Sequence, residues 1–295
     1  MRYCVTVGRG MEPFVKKQLE QIQDVKIDGS IVEGKVLFDA SNSNKLYNLR
    51  CAERLFLVAA YEIIDCSWNK RQLFDKLFSL CDRNSLLNST CETAFNCLLS
   101  YGEPIQNRTF RVSLKATGKW RRKIDIEKLS TSIARHIKQM SDFNSSVHFT
   151  AIEICIHVSE KCIFIGIPIT RERLSKRHYL LNNSLRSTVV DAMLSMANIQ
   201  DGDIVVDLTC GSSSILLQIA HDFQDKENYF LTFSLKESCS NSSNSYISTA
   251  ILLISAMHLP SLNNMLKLPA RLKQHYPISL GITQAVIVLL ANDRE

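Results

Sequence analysis

Two hydrophobic periods alternate along this chain. Phe110, Val112 and Leu114 alternate with Arg111, Ser113 and Lys115 over 109–114, the two-residue repeat of a half-buried strand. The basic members of that repeat point away from the core. Leu129, Ile133, Ile137 and Met140 then recur at helical spacing, predicting a helix over 126–140 with His136 at its boundary. Ile152, Ile154, Ile156 and Val158 return to the strand period, and 161–167 predicts another strand, closed by Gly166 and Pro168. Strand, helix, strand, strand over 109–167 is a small α+β unit.

The flanks read less evenly. A strand over 3–7 stops at Gly8 and Gly10, and a helix over 12–22 carries Val15, Leu19 and Ile22 on one face. Pro13 suits its first turn, where the amides have no partners. A strand over 34–38 follows. Leu46, Leu49, Phe56 and Ala60 predict a helix over 45–60, interrupted by Glu53, and 74–99 is helical in flavour without clear bounds. Further on come a helix over 185–197, a turn at Asp201-Gly202, an apolar strand over 204–208, a polar turn over 209–214 and a helix opening at Ile215. That is one strand–turn–helix unit of a doubly wound sheet. Beyond it, 229–235 and 285–290 predict strands, and 248–257 is helical or a buried strand.

Composition narrows the class. The chain has 295 residues, 45% hydrophobic and 22% charged, an ordinary globular mix with room for two domains or three small ones. Ten glycines and six prolines exclude collagen-like chains. No apolar run is long enough to predict a membrane helix, so no membrane partner is expected. The start lacks the apolar stretch of a secretory signal, so secretion is not expected. Ten scattered cysteines, none in a Cys-x-x-Cys pair, predict reduced, buried thiols and no metal site.

Charge is uneven. Over 108–138, ten basic residues face only Asp125 and Glu127, and over 171–186 five basic residues face Glu172. Such asymmetry marks a nucleic-acid surface, although a solvated face remains the alternative. Arg111, Lys115, Lys119, Arg121, Arg122 and Lys123 are the candidate RNA-binding residues, with Trp120 interleaved among them.

The second candidate site is Asp207-Leu208-Thr209-Cys210-Gly211-Ser212-Ser213-Ser214. A ligand in the crevice beyond the strand would meet backbone amides there, Gly211 permits a tight turn, and Asp207 can order that turn or reach a polar ligand. With one glycine, a dinucleotide reading is weak, and a serine-capped helix stays open.

Several blocks carry a family resemblance. They are Cys4-Val5-Thr6-Val7-Gly8-Arg9-Gly10-Met11-Glu12-Pro13-Phe14-Val15, Gly34-Lys35-Val36-Leu37-Phe38, Ala52-Glu53-Arg54-Leu55-Phe56-Leu57 and Thr109-Phe110-Arg111-Val112-Ser113. Phe164-Ile165-Gly166-Ile167-Pro168, Leu185-Arg186-Ser187-Thr188 and Asp207-Leu208-Thr209-Cys210-Gly211 follow in order. Through them the chain resembles the THUMP-domain RNA guanosine N2-methyltransferases.

The resemblance implies an α+β ferredoxin-like/THUMP region, followed by an incomplete α/β Rossmann-like methyltransferase domain. The expected bounds are a ferredoxin-like region with a helical insertion over 1–100, a THUMP RNA-binding domain over 101–170 and a partial methyltransferase-like domain over 171–295. It implies S-adenosylmethionine as cofactor, held by Arg186, Thr188, Asp207, Cys210, Gly211 and Ser213. It also implies structured RNA such as U6 small nuclear RNA or tRNA as partner, a small zinc-binding activator subunit, and a nuclear or cytoplasmic location.

The chain departs from the family pattern in places. Leu208 stands where the family's cofactor loop has proline, Ser213 where it has a second glycine, and Ser214 where it has threonine. Phe233 occupies the place of the ribose-binding carboxylate, with Glu237 nearby in another register. The family's Asn/Asp-Pro-Pro-Phe-like catalytic tetrapeptide has no match, and no catalytic residue is assigned. Three function classes stand, the first two being an RNA methyltransferase and a catalytically inactive RNA-binding protein retaining the THUMP module. A purely structural or interaction protein is the third.

Overall fold

The computed structural model describes residues 1–29, 32–41, 44–65, 67–82, 85–100, 102, 107–146, 150–180, 185–199, 204–207, 214–222, 229–232, 249–255, 270–280 and 283–292. Contacts divide the chain into two compact units, Met1–Val5 with Leu37–Ser41 and Arg54–Arg173, and Thr6–Val36 with Asn42–Glu53 and Leu174–Glu295. The architecture is α/β.

The elements before residue 101 are β1 (Arg2–Thr6), α1 (Glu12–Glu20), β2 (Lys26–Ile27), β3 (Lys35–Asp39), a 3-10 helix (Asn44–Asn48), β4 (Arg54–Ile63), α2 (Lys70–Leu80) and α3 (Leu86–Ser100). The expected helix over 45–60 is corrected here. Its first part is a short 3-10 helix, and Leu55, Phe56 and Leu57 belong to a strand. The contiguous apolar run around those residues pairs with a second buried strand, and pairing overrides the helical spacing of its leucines. The helical stretch over 74–99 is two helices. Asn69 caps the first by accepting from the Gln72 amide at 3.0 Å, while Gln72 reaches back to the Asn69 amide at 2.8 Å.

Next come β5 (Thr109–Ala116), α4 (Lys119–Lys123), α5 (Ile126–Met140), β6 (Asn144–Ser145), β7 (Ile152–Val158) and β8 (Cys162–Pro168). Eight described strands form one sheet in the order β2-β3-β1-β4-β8-β7-β5-β6. β5 runs parallel to β7, placing Arg111 beside Glu153 and Lys115 beside His157. β8 is antiparallel to β4 and β7, and all seven of its residues are buried. Asp125 caps α5 by accepting the Lys128 amide at 3.2 Å. Leu129, Ile133 and Ile137 are the buried stripe of α5, which packs on β5.

Gly118 joins β5 to α4 with φ +60°, and a side chain there would run into Glu160. Glu160 instead accepts the Lys119 amide at 2.5 Å. This short helix was not read from sequence.

The remaining elements are α6 (Ser187–Ala197), β9 (Ile204–Asp207), α7 (Ser214–Asp222), β10 (Tyr229–Thr232), β11 (Thr249–Ser255), β12 (Ala270–Leu280) and β13 (Thr283–Asn292). They form a second sheet in the order β10-β9-β11-β13-β12. β9 is parallel to both neighbours, β10 and β11, while β13 is antiparallel to β11 and β12. The stretch left open as helix or buried strand contains β11, and β12 was not anticipated. Among the described residues, no helix is long and apolar enough to cross a membrane.

Candidate nucleic-acid and cofactor sites

The outward residues of β5 behave as their alternation predicts. Arg111, Ser113 and Lys115 are exposed, while Phe110, Leu114 and Ala116 are buried. Arg111 donates through Nη2 to Glu153 at 3.1 Å, and Arg54 approaches the other oxygen of the same carboxylate at 3.1 Å. Part of Arg111's charge is therefore spent within the fold. Lys115 has no ion-pair partner among the described residues.

On α4, Arg121, Arg122 and Lys123 are exposed and likewise without ion pairs among the described residues. Trp120 is different. Its ring is 0% exposed, with Lys119 Nζ 4.7 Å from the ring centroid. The indole that the basic run surrounds is a core anchor, closed to base stacking. It fixes the backbone from which the three cations project.

A groove of about 570 Å³ opens beside this face, between α5 and the β5–β6 edge. Ser130, Thr131, Arg135, Lys138, Ser145 and Ser146 line it. Arg135 and Lys138 are exposed, and neither has an ion-pair partner among the described residues. Sequence reading counted both as charge without assigning either to a site. The signal was present: Thr131, Arg135 and Lys138 recur at four and three residues, on the side of α5 opposite its apolar stripe.

The second basic run has another fate. Arg177 donates to Asp191 at 3.3 Å and to the carbonyls of Arg50 and Leu174. Arg50 donates through Nε to Asp191 at 3.0 Å and through Nη1 to Asp222 at 2.6 Å. Gln218 donates to Asp222 at 2.9 Å and accepts from Tyr179 Oη at 2.9 Å. Tyr179 stacks on His221 with 4.2 Å between ring centroids. Burial outweighs the attraction of Arg50 and Arg177 and pushes the Asp191 carboxyl up to about 6. Arg177 is thus part of an internal network rather than of an open basic face.

The proposed cofactor residues divide between described and undescribed positions. Thr188 is buried, its Oγ1 3.5 Å from Glu53 Oε1, and Ser175 donates to the other Glu53 oxygen at 2.6 Å. Arg186 is exposed at the N-cap of α6. Asp207 ends β9 and pairs in register with Thr232. Cys210, Gly211 and Ser213 lie outside the described residues, as do Leu208, Phe233 and Glu237. The strand order around β9 is a separate observation. Chain order reverses at β9, with β10 on one side and β11 on the other, and α7 follows β9. The crevice beyond the carboxyl end of such a strand is where open α/β sheets bind ligands. Among the described residues, no cluster of His, Cys, Asp and Glu could hold a metal ion.

Comparison with known proteins points the same way. No protein-family model matches the chain. It is 33% identical over 139 residues to the U6 snRNA (guanine-N(2))-methyltransferase THUMPD2 of Mus musculus, covering 47% of this chain and 25% of that protein. It is 25% identical over 308 aligned positions to the Homo sapiens protein of the same name, covering 76% of this chain and 61% of that one. The chain therefore spans less than two thirds of either relative. Among solved structures, TrmN from Thermus thermophilus matches with a TM-score of 0.67 at 14% identity, covering 99% of both chains. SMU.472 complexed with SAH matches with a TM-score of 0.65 at 12% identity, covering 100% of this chain and 98% of that one. The chain shares the fold of these solved structures.

Proposed function

We propose that this protein binds structured RNA through the β5–α4 face and is an S-adenosylmethionine-dependent RNA guanosine N2-methyltransferase by kinship. The observation that carries the RNA half is the set of cations without ion pairs among the described residues, Lys115, Arg121, Arg122 and Lys123, on one strand and the short helix after it. Charges held at fixed positions by a buried tryptophan neutralise phosphates without reorganising. Similarity to the THUMPD2 proteins supports guanosine in U6 small nuclear RNA as the target, with tRNA as the alternative RNA. The ferredoxin-like/THUMP description of 1–170 and the activator subunit rest on the family resemblance.

The topology at β9 supports a cofactor crevice there, and the family resemblance offers Arg186, Thr188, Asp207, Cys210, Gly211 and Ser213 as the residues that would hold the cofactor. S-adenosylmethionine would supply the methyl group. The protein's part is to accept hydrogen bonds from the guanine amine and align its nitrogen. The departures from the family pattern at Leu208, Ser213 and Phe233 favour a second reading, RNA recognition without catalysis.

Two titrations separate the readings. An RNA hairpin titrated over a salt series should lose affinity as salt rises, and salt-independent binding would refute the electrostatic face. Calorimetric titration with S-adenosylmethionine should show saturable binding if the cofactor half holds. Its absence leaves RNA recognition as the function.

A further inference from the structure

The groove between α5 and the β5–β6 edge has a chemistry unlike that of the α4 face. Its charge comes from Arg135 and Lys138, on consecutive turns of one helix, and from Arg111, whose guanidinium is already paired with Glu153. The rest of its polar lining is hydroxyl: Ser130, Thr131, Ser145 and Ser146. Ser130 donates its proton to the Val112 carbonyl at 3.2 Å, so only its oxygen lone pairs remain available, and it must act as an acceptor. Thr131 and Ser145 are exposed, and their hydroxyls have no hydrogen-bond partner among the described residues. Each can donate and accept.

The apolar lining is Phe110, Val112 and Ala134. Phe110 is 0% exposed, so its ring is covered and gives a base no stacking platform. A site with cations, fixed acceptors and rotatable hydroxyls, but without an open aromatic face, matches a sugar–phosphate backbone better than a base. The volume of about 570 Å³ lies within the range of ligand clefts.

We infer that this groove binds the ribose–phosphate backbone of an RNA strand and discriminates ribose from deoxyribose. Arg135 and Lys138 take phosphates. The Ser130 oxygen accepts from a 2′-hydroxyl, and Thr131 and Ser145 donate to it or accept from it. The 2′-hydroxyl is both donor and acceptor, and it is the group that separates RNA from DNA at a backbone site. The inference rests on the RNA reading of the preceding section and deepens it: the α4 face supplies charge that any nucleic acid satisfies, and the groove supplies the preference for RNA.

The test uses the full chain and three fluorescent hairpins of one sequence, made of RNA, DNA and 2′-O-methyl RNA. The unaltered protein should bind RNA about ten-fold or more tightly than DNA, as expected for two or three hydrogen bonds. The 2′-O-methyl hairpin, which keeps the acceptor and loses the donor, should bind between RNA and DNA. Ser130→Ala, Thr131→Val and Ser145→Ala combined should bring RNA affinity down to DNA affinity and leave DNA affinity unchanged. Arg135→Ala with Lys138→Ala should weaken both. Arg121→Ala, Arg122→Ala and Lys123→Ala combined should weaken both while keeping the ratio. Should the hydroxyl triple variant melt early, Thr131→Val and Ser145→Ala at their exposed positions must each lower the ratio singly. An unchanged RNA-to-DNA ratio in folded hydroxyl variants, with normal RNA binding by the unaltered protein, overturns the groove and spares the RNA reading. Failure of the unaltered protein to bind any hairpin overturns both.

Discussion

Arg121 and Arg177 are the same residue type in two basic runs of similar density, and the fold uses them in opposite ways. In the unit containing Arg54–Arg173, Arg121, Arg122 and Lys123 of α4 stand exposed and without ion pairs among the described residues, beside a buried tryptophan. In the unit containing Leu174–Glu295, Arg177 and Arg50 are turned inward on Asp191 and Asp222. The first arrangement leaves charge available to a ligand. The second spends charge on holding chain segments together, since a buried carboxylate is tolerated only with partners. Charge density along the chain does not separate these cases. Carboxylates brought from distant positions do.

Four substitutions sharpen or break that contrast, from the largest expected effect on stability to the smallest. Trp120→Ala removes a side chain with no exposure and should cost about 3–5 kcal/mol in chemical denaturation. Lowered RNA affinity at unchanged stability would instead make the indole part of the surface and erase the contrast. Arg50→Ala strips Asp191 and Asp222 of one partner and should cost about 2–3 kcal/mol. That is below the loss for a fully buried pair, because the Arg50 side chain is 33% exposed. A neutral result would show that the network is not holding its segments.

The third concerns pH. Asp191 is raised from its ordinary 3.8 to about 6 in the folded chain. Between those values the folded state keeps a proton that the unfolded state has released. The contribution of this group to stability is full below about pH 4 and is lost as pH rises through 6. Asp191→Asn cannot titrate, so the stability difference between it and the unaltered chain should shift by on the order of 2 kcal/mol between pH 4.5 and 7. Parallel pH profiles for the two proteins would contradict the raised carboxyl. The smallest effect on stability is expected from combined alanines at Arg121, Arg122 and Lys123, within about 0.5 kcal/mol. In RNA titrations the same variant should reduce the slope of log affinity against log salt by about 2–3. An unchanged slope would place the phosphate contacts elsewhere.

The parts of the site legible in sequence are those encoded locally. The alternation over β5 told which of its side chains face outward, and the stripe of α5 told which side is buried. Read one step further, the stripe also locates Arg135 and Lys138. Trp120 was not legible, because an aromatic within a basic run has the same sequence signature whether it stacks on a base or anchors a turn. The strand β9 and the helix α7 were legible in sequence, and the parallel neighbours on both sides of β9 came from the fold.

By itself the sequence determined the strands and helices whose periods lie within a few residues, the basic excess over 108–138 and the resemblance that orders the chain. Tertiary structure decided the rest. It turned the second part of the predicted helix over 45–60 into β4, because Leu55, Phe56 and Leu57 bury their side chains in a sheet beside β8. It also decided which arginines remain available, because Arg50 meets Asp222 across 172 positions of sequence. An ion pair depends on distance in space, and no local period records it.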